Sequence, residues 1–442
     1  MNESSRLSAD LICENVTRAE DGSFRFAGCS PAALAGRYGT PLYLMDEDRI
    51  RANCRTYLSA VRDFFPHGAR VYYASKAASF KRIYEIMREE GMCVDVVSAG
   101  EIATAVRAGF PLANACFHSN NKTDADIAFA MDAGVGLFAA DNPEELNAIS
   151  AEAVRRGLRQ PVILRLTPGI DPHTYEAVAT GKVDSKFGFG IQTGQARAAV
   201  ALALSLPGID LRGYHCHVGS QVFDSDVYLR TADVMLTFAA EIGREFGFAA
   251  PLLDLGGGYG VRYIAGQPVI DLRANLASVA AYITRKCAEL GIAVPEIGFE
   301  PGRSIVADAG MTVYTVGSVK TIPDCRTYVS VDGGMTDNIR YALYGAPYTY
   351  LPISRPNDPR TMTATVVGRC CESGDILQRD VPLPAGTRRG DLLACLTTGA
   401  YHYSMASNYN RVPRPPIVML SGGRDYVAVR RETPDDLTRL DV

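Results

Sequence analysis

Lys76 closes an apolar β-type run, Val71-Tyr72-Tyr73-Ala74-Ser75, and a segment with helical spacing takes over directly after it, so its amine is expected at the carboxyl end of a strand. A lysine held there with limited solvent loses its proton at small cost, and a neutral amine is a nucleophile that can form a Schiff base. The plain alternative is a solvated lysine that merely ends a strand. Other residues could share the chemistry. Gly256-Gly257-Gly258 presents bare backbone N–H groups, and Glu300-Pro301-Gly302-Arg303 joins an acid, an unhindered backbone and a guanidinium within four residues. Such loops let backbone N–H groups approach an anion closely. His215-Cys216-His217 puts two histidines on one face of a strand, the ligand pair of a metal-dependent barrel hydrolase, but the remaining ligands are not evident and no metal is expected. His215 reads better as a hydrogen-bonded structural residue.

The elements that must position these groups are legible as alternating patterns. Apolar runs end on or near Lys76, and recur at 93–97, 115–117, 136–140, 161–166, 211–218, 251–255 and 294–299, with helical spacing between them. Strands alternating with helices indicate parallel pairing, and eight such units close a (β/α)8 TIM barrel whose chemistry lies at the carboxyl ends of the strands. That mouth would gather Lys76, His118, Arg165, His217, the three glycines and the segment 300–303. The last two lie after the seventh and eighth strands, where such barrels commonly hold phosphate.

Helix signals agree with this order. Phe80, Ile83, Tyr84, Ile86 and Met87 share a helical face, and Gly91 is placed to end it. Ser98-Ala99-Gly100-Glu101 has capping-box spacing, which accounts for Glu101 without a catalytic role, and Asn142-Pro143-Glu144-Glu145 offers a cap with acids in the first turn. Before the barrel, residues 1–45 form an N-terminal segment with β-like pieces at 23–26 and 41–44 around a short helix at 30–37, expected to pack with another domain. Residues 46–304 form the barrel. Beyond Ile305, β-type runs at 312–316, 328–331, 363–367, 392–395 and 425–429 indicate an all-β C-terminal domain, sandwich- or barrel-like, over 305–442.

Composition narrows the function classes. The chain has 442 residues, 47% hydrophobic and 21% charged, the balance of a soluble globular enzyme rather than a disordered or fibrous chain. A formal charge of -4 with no basic block gives no field to attract nucleic acid or an anionic membrane surface. The start, Met1-Asn2-Glu3-Ser4-Ser5-Arg6, lacks the apolar core of a signal peptide, and no stretch reaches a membrane span's length, so a cytoplasmic location is expected. Eleven cysteines without a C-x-x-C pair read as free thiols.

An imine-forming lysine, a phosphate cradle and an acid across the mouth together suggest pyridoxal 5'-phosphate, whose ring nitrogen needs a carboxylate to stay protonated, with Glu300 as the candidate. At this point the motifs carry a family resemblance. YASKA at 73–77, DVVSAGE at 95–101, DSKFGF at 184–189, HCHVGSQ at 215–221, LGGGYG at 255–260, EPGR at 300–303 and CESGD at 371–375 make the chain similar to the diaminopimelate decarboxylases. That family belongs to the fold-type III pyridoxal-phosphate group with ornithine and arginine decarboxylases and alanine racemase. The likeness runs from about Thr40 to Val429. One departure is Ala77-Ala78-Ser79, where many members read KAN after the YAx, a position the chemistry does not require.

The resemblance implies an alanine-racemase-like barrel with a β domain, acting as a lyase that decarboxylates meso-2,6-diaminopimelate to lysine in amino-acid biosynthesis. It implies Lys76 as the Schiff-base lysine, His217 against the cofactor ring, Ser220, Gly257, Gly258 and Gly302-Arg303 around the phosphate, Glu300 at the ring nitrogen, and Tyr401 beside the cofactor. It implies Arg303, Arg340, Tyr344, Glu372 and Tyr401 as substrate contacts. Cys371 is implied as the proton donor, reaching the site from the partner subunit of a homodimer. Another fold-type III decarboxylase, a racemase with a second base at the α-carbon, and a non-catalytic carrier of the cofactor are the alternatives.

Overall fold

The computed structural model describes residues 11–171 and 184–442, so the segment Met1–Arg6 read above lies outside the described residues. The chain divides into two compact units: Asn53–Gly260 with Val269–Ser304, and Met1–Ala52 with Val261–Pro268 and Ile305–Val442.

The first unit is a closed parallel barrel. Its strands are Ala69–Ala74, Cys93–Val96, Ala115–Phe117, Leu137–Ala140, Gln160–Thr167, Ile209–His215, Leu252–Asp254 and Glu296–Phe299. Each pairs with the next, and the eighth returns to the first through Ile297 opposite Ala69. All eight expected runs are present because each is mostly apolar, with residues facing both the barrel interior and the helices. Tyr72, Cys116, Leu137, Ala139, Ile163 and Leu252 pack together inside. The register slips between Leu211 and Gly213, where a Cβ on Gly213 would lie 1.8 Å from the Leu252 carbonyl, so only glycine lets these strands approach.

Two strand ends differ from the sequence reading. The first strand stops at Ala74, and a 3-10 turn over Ser75–Ala77 carries Lys76 before the helix Lys81–Glu90 begins, so the helix does not follow directly. The sixth stops at His215, which leaves Cys216 and His217 in the following loop rather than putting both histidines on one strand face. An additional two-residue strand, Phe189–Gly190, pairs with Leu166 and Thr167 and had no local signal.

The helix caps follow the sequence signals. Gly91 ends its helix in the left-handed region at φ 79°. Ser98 Oγ accepts the Glu101 N–H at 3.2 Å, and Glu101 returns the contact one residue earlier than the usual box, accepting from Val97 N–H at 2.7 Å. Asn142 caps Pro143–Arg155 by accepting from Glu145 N–H at 2.8 Å.

The second unit is built on the long strand Gly310–Ile322, which pairs antiparallel with Arg326–Val331, with Leu392–Leu396 and with Leu42–Asp46. The early strand Leu42–Asp46 also pairs parallel with Ile417–Ser421, so it is threaded between strands from the far end of the chain. All five expected C-terminal runs form strands; Tyr350–Pro352, Ile376–Leu383 and Ile417–Ser421 are additional. Leu42, Leu44, Met311, Val313, Leu351, Ala394, Val418 and Leu420 make its core with Phe24 and Phe26 of the N-terminal hairpin. Among the described residues no helix is long and apolar enough to cross a membrane.

Candidate functional site

Backbone pairing continues past the barrel strands and fixes the loops that carry chemistry. Cys216 N–H donates to the Asp254 carbonyl at 2.9 Å, Glu300 N–H to Gly256 at 2.8 Å, and Ala74 N–H to Pro301 at 3.0 Å. The sixth, seventh, eighth and first strands are thereby stitched in sequence at their carboxyl ends, which brings the Lys76 turn beside the 300–302 segment. Lys76 itself is exposed between buried Ser75 and buried Ala77, so its amine faces open space from a fixed base.

Glu300 is the centre of the dry part of the mouth. It is 7% exposed; its Oε2 lies 2.9 Å from His215 Nε2, and its Oε1 lies 2.8 Å from His118 Nε2. The His118 contact is a charge pairing out of hydrogen-bond alignment, because both of its atoms are buried without a hydrogen-bond partner. Burial opposes ionisation of Glu300, yet His118 and His215 hold its carboxyl well below the ordinary value. Burial also opposes charge on His118, but Cys116, Glu300 and Asp95 together raise it well above the usual imidazole value. For His215 burial wins and pushes it down to about 4. One carboxylate neutralises one cation in so dry a place, so the arrangement is His118 cation, Glu300 anion and neutral His215 donating through Nε2.

Two acids that the sequence reading did not single out complete this cluster. Asp95, on the second strand, is raised by burial and has Oδ1 without a partner. Asp254, ending the seventh, is fully buried; it accepts from Gly256 N–H at 2.8 Å, and burial together with the Glu300 charge raises it well above its ordinary value. Each is a carboxylate inside an apolar run, and only the burial of both strand faces marks it as part of the site. A further buried pair, Lys122 with Glu145, pins the loop after His118, since Lys122 Nζ also donates to the carbonyls of Ala139 at 2.7 Å and Ser119 at 3.2 Å.

His217 lies beyond the sixth strand and is partly exposed. Gly257 N–H donates to its Nδ1 at 3.3 Å, which leaves the neutral ring's proton on Nε2. The surrounding protein, Lys76 and Arg165 hold it well below its ordinary value, so this imidazole stays uncharged. Arg165 lies within the fifth strand rather than at its end, with its guanidinium 4.1 Å from the Phe187 ring centre.

The glycines after the seventh strand are required by close approach. A Cβ on Gly257 would sit 2.0 Å from the Glu300 carbonyl, and one on Gly258, at φ 106°, would sit 2.3 Å from that of Gly219. Gly302 passes within 3.0 Å of Ala74 in the same sense. Arg303 is 6% exposed and donates from Nε at 3.2 Å and from a terminal nitrogen at 3.0 Å to Ser220 Oγ. Glycine backbone, a hydroxyl and a buried guanidinium therefore form one polar rim after the sixth, seventh and eighth strands. The barrel residues fit a ring with an acidic N–H and a phosphate tail: Glu300 Oε1 is the orphaned buried acceptor, and Ser220 and the buried Arg303 guanidinium offer donors beside the glycine loops. A metal could be offered His118, His215 and Glu300, whose ligand atoms lie within 4.8 Å of one another, but the charge pairing already uses them.

The second unit brings three of its expected residues together. Arg340 is 6% exposed, donates from Nε to Tyr348 OH at 3.0 Å, and lies 5.0 Å from the ring centres of both Tyr344 and Tyr401. Among the described residues it has no carboxylate partner. Cys371 and Glu372 are exposed on another loop of this unit, where Glu372 Oε1 accepts from Gly374 N–H at 3.0 Å.

Comparison with known proteins gives the same reading. A family model described as the pyridoxal binding domain of pyridoxal-dependent decarboxylases matches residues 47–307. The chain is 41% identical to diaminopimelate decarboxylase of Bacillus subtilis (strain 168) over 425 residues, 96% of each chain. Among solved structures it is similar to diaminopimelate decarboxylase from M. jannaschii in complex with L-lysine, with TM-score 0.89, 31% identity and 98% of each chain covered. The Helicobacter pylori enzyme complexed with L-lysine aligns with TM-score 0.82 and 29% identity over 93% of this chain and 98% of that one.

Proposed function

Since this chain belongs to the pyridoxal-dependent decarboxylases and, among them, to the diaminopimelate decarboxylase family, we propose that it converts meso-2,6-diaminopimelate to L-lysine and CO2. The observation that carries this reading is Glu300: a buried carboxylate kept ionised by His118 and His215, with one oxygen lacking a hydrogen bond, on the loop beside Lys76.

Pyridoxal phosphate, when bound, supplies a reactive carbonyl and a ring that takes up the electron pair left on the α-carbon as CO2 departs. Lys76 would hold the cofactor by its amine. Glu300 holds a proton at the ring nitrogen, and the His118 cation keeps Glu300 from taking that proton for itself. His217, neutral and fixed by Gly257 N–H, would face the ring without competing for its charge. Ser220, Gly257, Gly258, Gly302 and Arg303 would hold the phosphate, with Tyr401 as a further cofactor contact.

The substrate loses a carboxylate as CO2 and gains one proton at the α-carbon, for which Cys371 of a second copy of the chain is the donor. The working enzyme is then a homodimer, and with eleven free thiols it acts in the cytoplasm. Substrate choice rests on the end remote from the reaction. Diaminopimelate differs from lysine by a carboxylate there, and Arg340, buried without a carboxylate partner among the described residues, is suited to bind it in two-bond geometry with Arg303, Tyr344 and Tyr401, while Glu372 takes the distal ammonium.

Charged hydrogen bonds of this kind are worth about 1.5 to 3 kcal/mol, so Arg340→Met is expected to raise KM for diaminopimelate by roughly tenfold or more and leave the bound cofactor's visible absorbance intact. An unaltered KM removes Arg340 from the substrate site. A racemase of this fold is distinguished in the same assay, because a single enantiomer would then give its mirror image instead of CO2.

A further inference from the structure

The loop carrying Cys371 is held at two successive peptide groups by side chains from different places. Cys370 N–H donates to Asp375 Oδ2 at 2.7 Å, and Asp375 also accepts from Met335 N–H at 2.6 Å, which ties this loop to the segment leading to Arg340. Cys371 N–H donates to Asn410 Oδ1 at 2.8 Å, across 39 residues of sequence. The peptide plane before Cys371 sets the direction of its Cα–Cβ bond, so whatever holds that N–H aims the thiol.

Asn410 occupies an unusual backbone position. It lies in the left-handed region at φ 52°, and Arg411 follows at φ 56°. Asparagine tolerates that region and arginine is poorly suited to it, so two such residues in a row persist only if the surroundings hold them. Arg411 donates to the Leu437 carbonyl at 2.5 Å and lies 3.1 Å from the Asp441 carboxylate. On either side, Asn408 Nδ2 donates to Glu432 at 2.6 Å, and Arg414 N–H and Nε donate to the same carboxylate at 2.8 and 2.7 Å. The segment 432–441 thus clips the turn at 408–414 on three residues, and the turn sends the Asn410 side chain to the Cys371 loop instead.

We propose that Asn410, clamped by the Arg411 contacts to Leu437 and Asp441, is a positioning residue that aims the Cys371 thiol for α-carbon protonation. It rests on the reading of Cys371 as proton donor. Asn410 touches the Cys371 backbone rather than the reacting atoms, so its effect falls on the protonation step and not on substrate or cofactor binding.

The test uses the full-length holoenzyme. Asn410→Gly keeps the left-handed backbone and removes the carboxamide that carries the acceptor oxygen, while Asn410→Asp keeps an acceptor in the same place. Asn410→Gly is expected to lower kcat about tenfold, the worth of one well-placed hydrogen bond, with KM and cofactor absorbance unchanged, and Asn410→Asp to restore it to within about twofold. Two further readouts separate aiming from folding: the rate at which iodoacetamide labels Cys371, read by peptide mapping, and the stereochemical purity of the deuterium placed on the ε-carbon of lysine made in D2O, the carbon that loses CO2. Both are expected to change in Asn410→Gly and not in Asn410→Asp. If Cys371→Ala leaves kcat and deuterium placement as in the parent, the donor reading fails whatever Asn410 does. If Cys371→Ala is impaired while Asn410→Gly matches the parent in kcat, labelling and stereochemistry, the positioning role is overturned. Should Asn410→Gly not fold, Arg411→Ala is read by the same measurements with the same two outcomes.

Discussion

At the scale of single residues, the account turns on Lys76, an exposed amine on a rigid turn between buried neighbours. Borohydride treatment of the yellow holoenzyme is expected to fix the cofactor covalently on the peptide containing Lys76, and an unlabelled peptide with cofactor bound would remove the assignment. Lys76→Ala should abolish turnover yet retain some cofactor, because Glu300 and the glycine loops remain. The placement of Lys76, His217, Glu300 and Arg303 beyond strand ends was legible in the sequence because each follows an apolar run, where a barrel puts its loops. Asp95 and Asp254 were not, since an acid within a run reads as a strand's wet face until both faces prove to be buried. The pairing of His118 with Glu300 joins residues 182 positions apart and leaves no trace in local spacing.

At the scale of elements, two loops make distinct demands. Gly257→Ala would drive a methyl group to 2.0 Å from the Glu300 carbonyl, so backbone must move on one side or the other. Overpacking of this kind costs about 1 to 3 kcal/mol, and the variant is expected to melt lower and to lose cofactor more readily on dialysis. In the sheet unit, Asp337 accepts from Tyr314 OH at 2.5 Å and Gly334 N–H at 2.8 Å, but burial raises its carboxyl to about 7. A raised folded pKa favours the neutral form in the native state. Its contribution to stability is therefore complete below the ordinary carboxyl range and is lost as pH rises to about 7, a change on the order of 4 kcal/mol. Melting temperature should fall across that window in the parent and fall less in Asp337→Asn; identical pH profiles would contradict the burial argument. The barrel strands were readable because apolar runs on both faces need no partner to be recognised. The sheet unit was readable only in part: Ile376–Leu383 breaks its pattern with Arg379 and Asp380, and the insertion of Leu42–Asp46 between strands from distant sequence has no local cause.

At the scale of the whole molecule, the proposed shared site predicts complementation between inactive chains. Mixed dimers of Lys76→Ala and Cys371→Ala contain one site with both native residues, so random reassociation should recover up to about a quarter of the parent sites. No recovery in verified heterodimers would place both residues in one chain's site. The substrate claim is the central one, and it is tested most directly by supplying purified, cofactor-saturated protein with meso-2,6-diaminopimelate and measuring CO2 and lysine together. The account predicts one CO2 and one L-lysine per substrate consumed. A site built around a buried guanidinium should reject analogues without the second carboxylate by roughly 10⁴-fold, leaving lysine and ornithine almost untouched. Bound cofactor with no CO2 from diaminopimelate, or CO2 released as readily from lysine or ornithine, would contradict it.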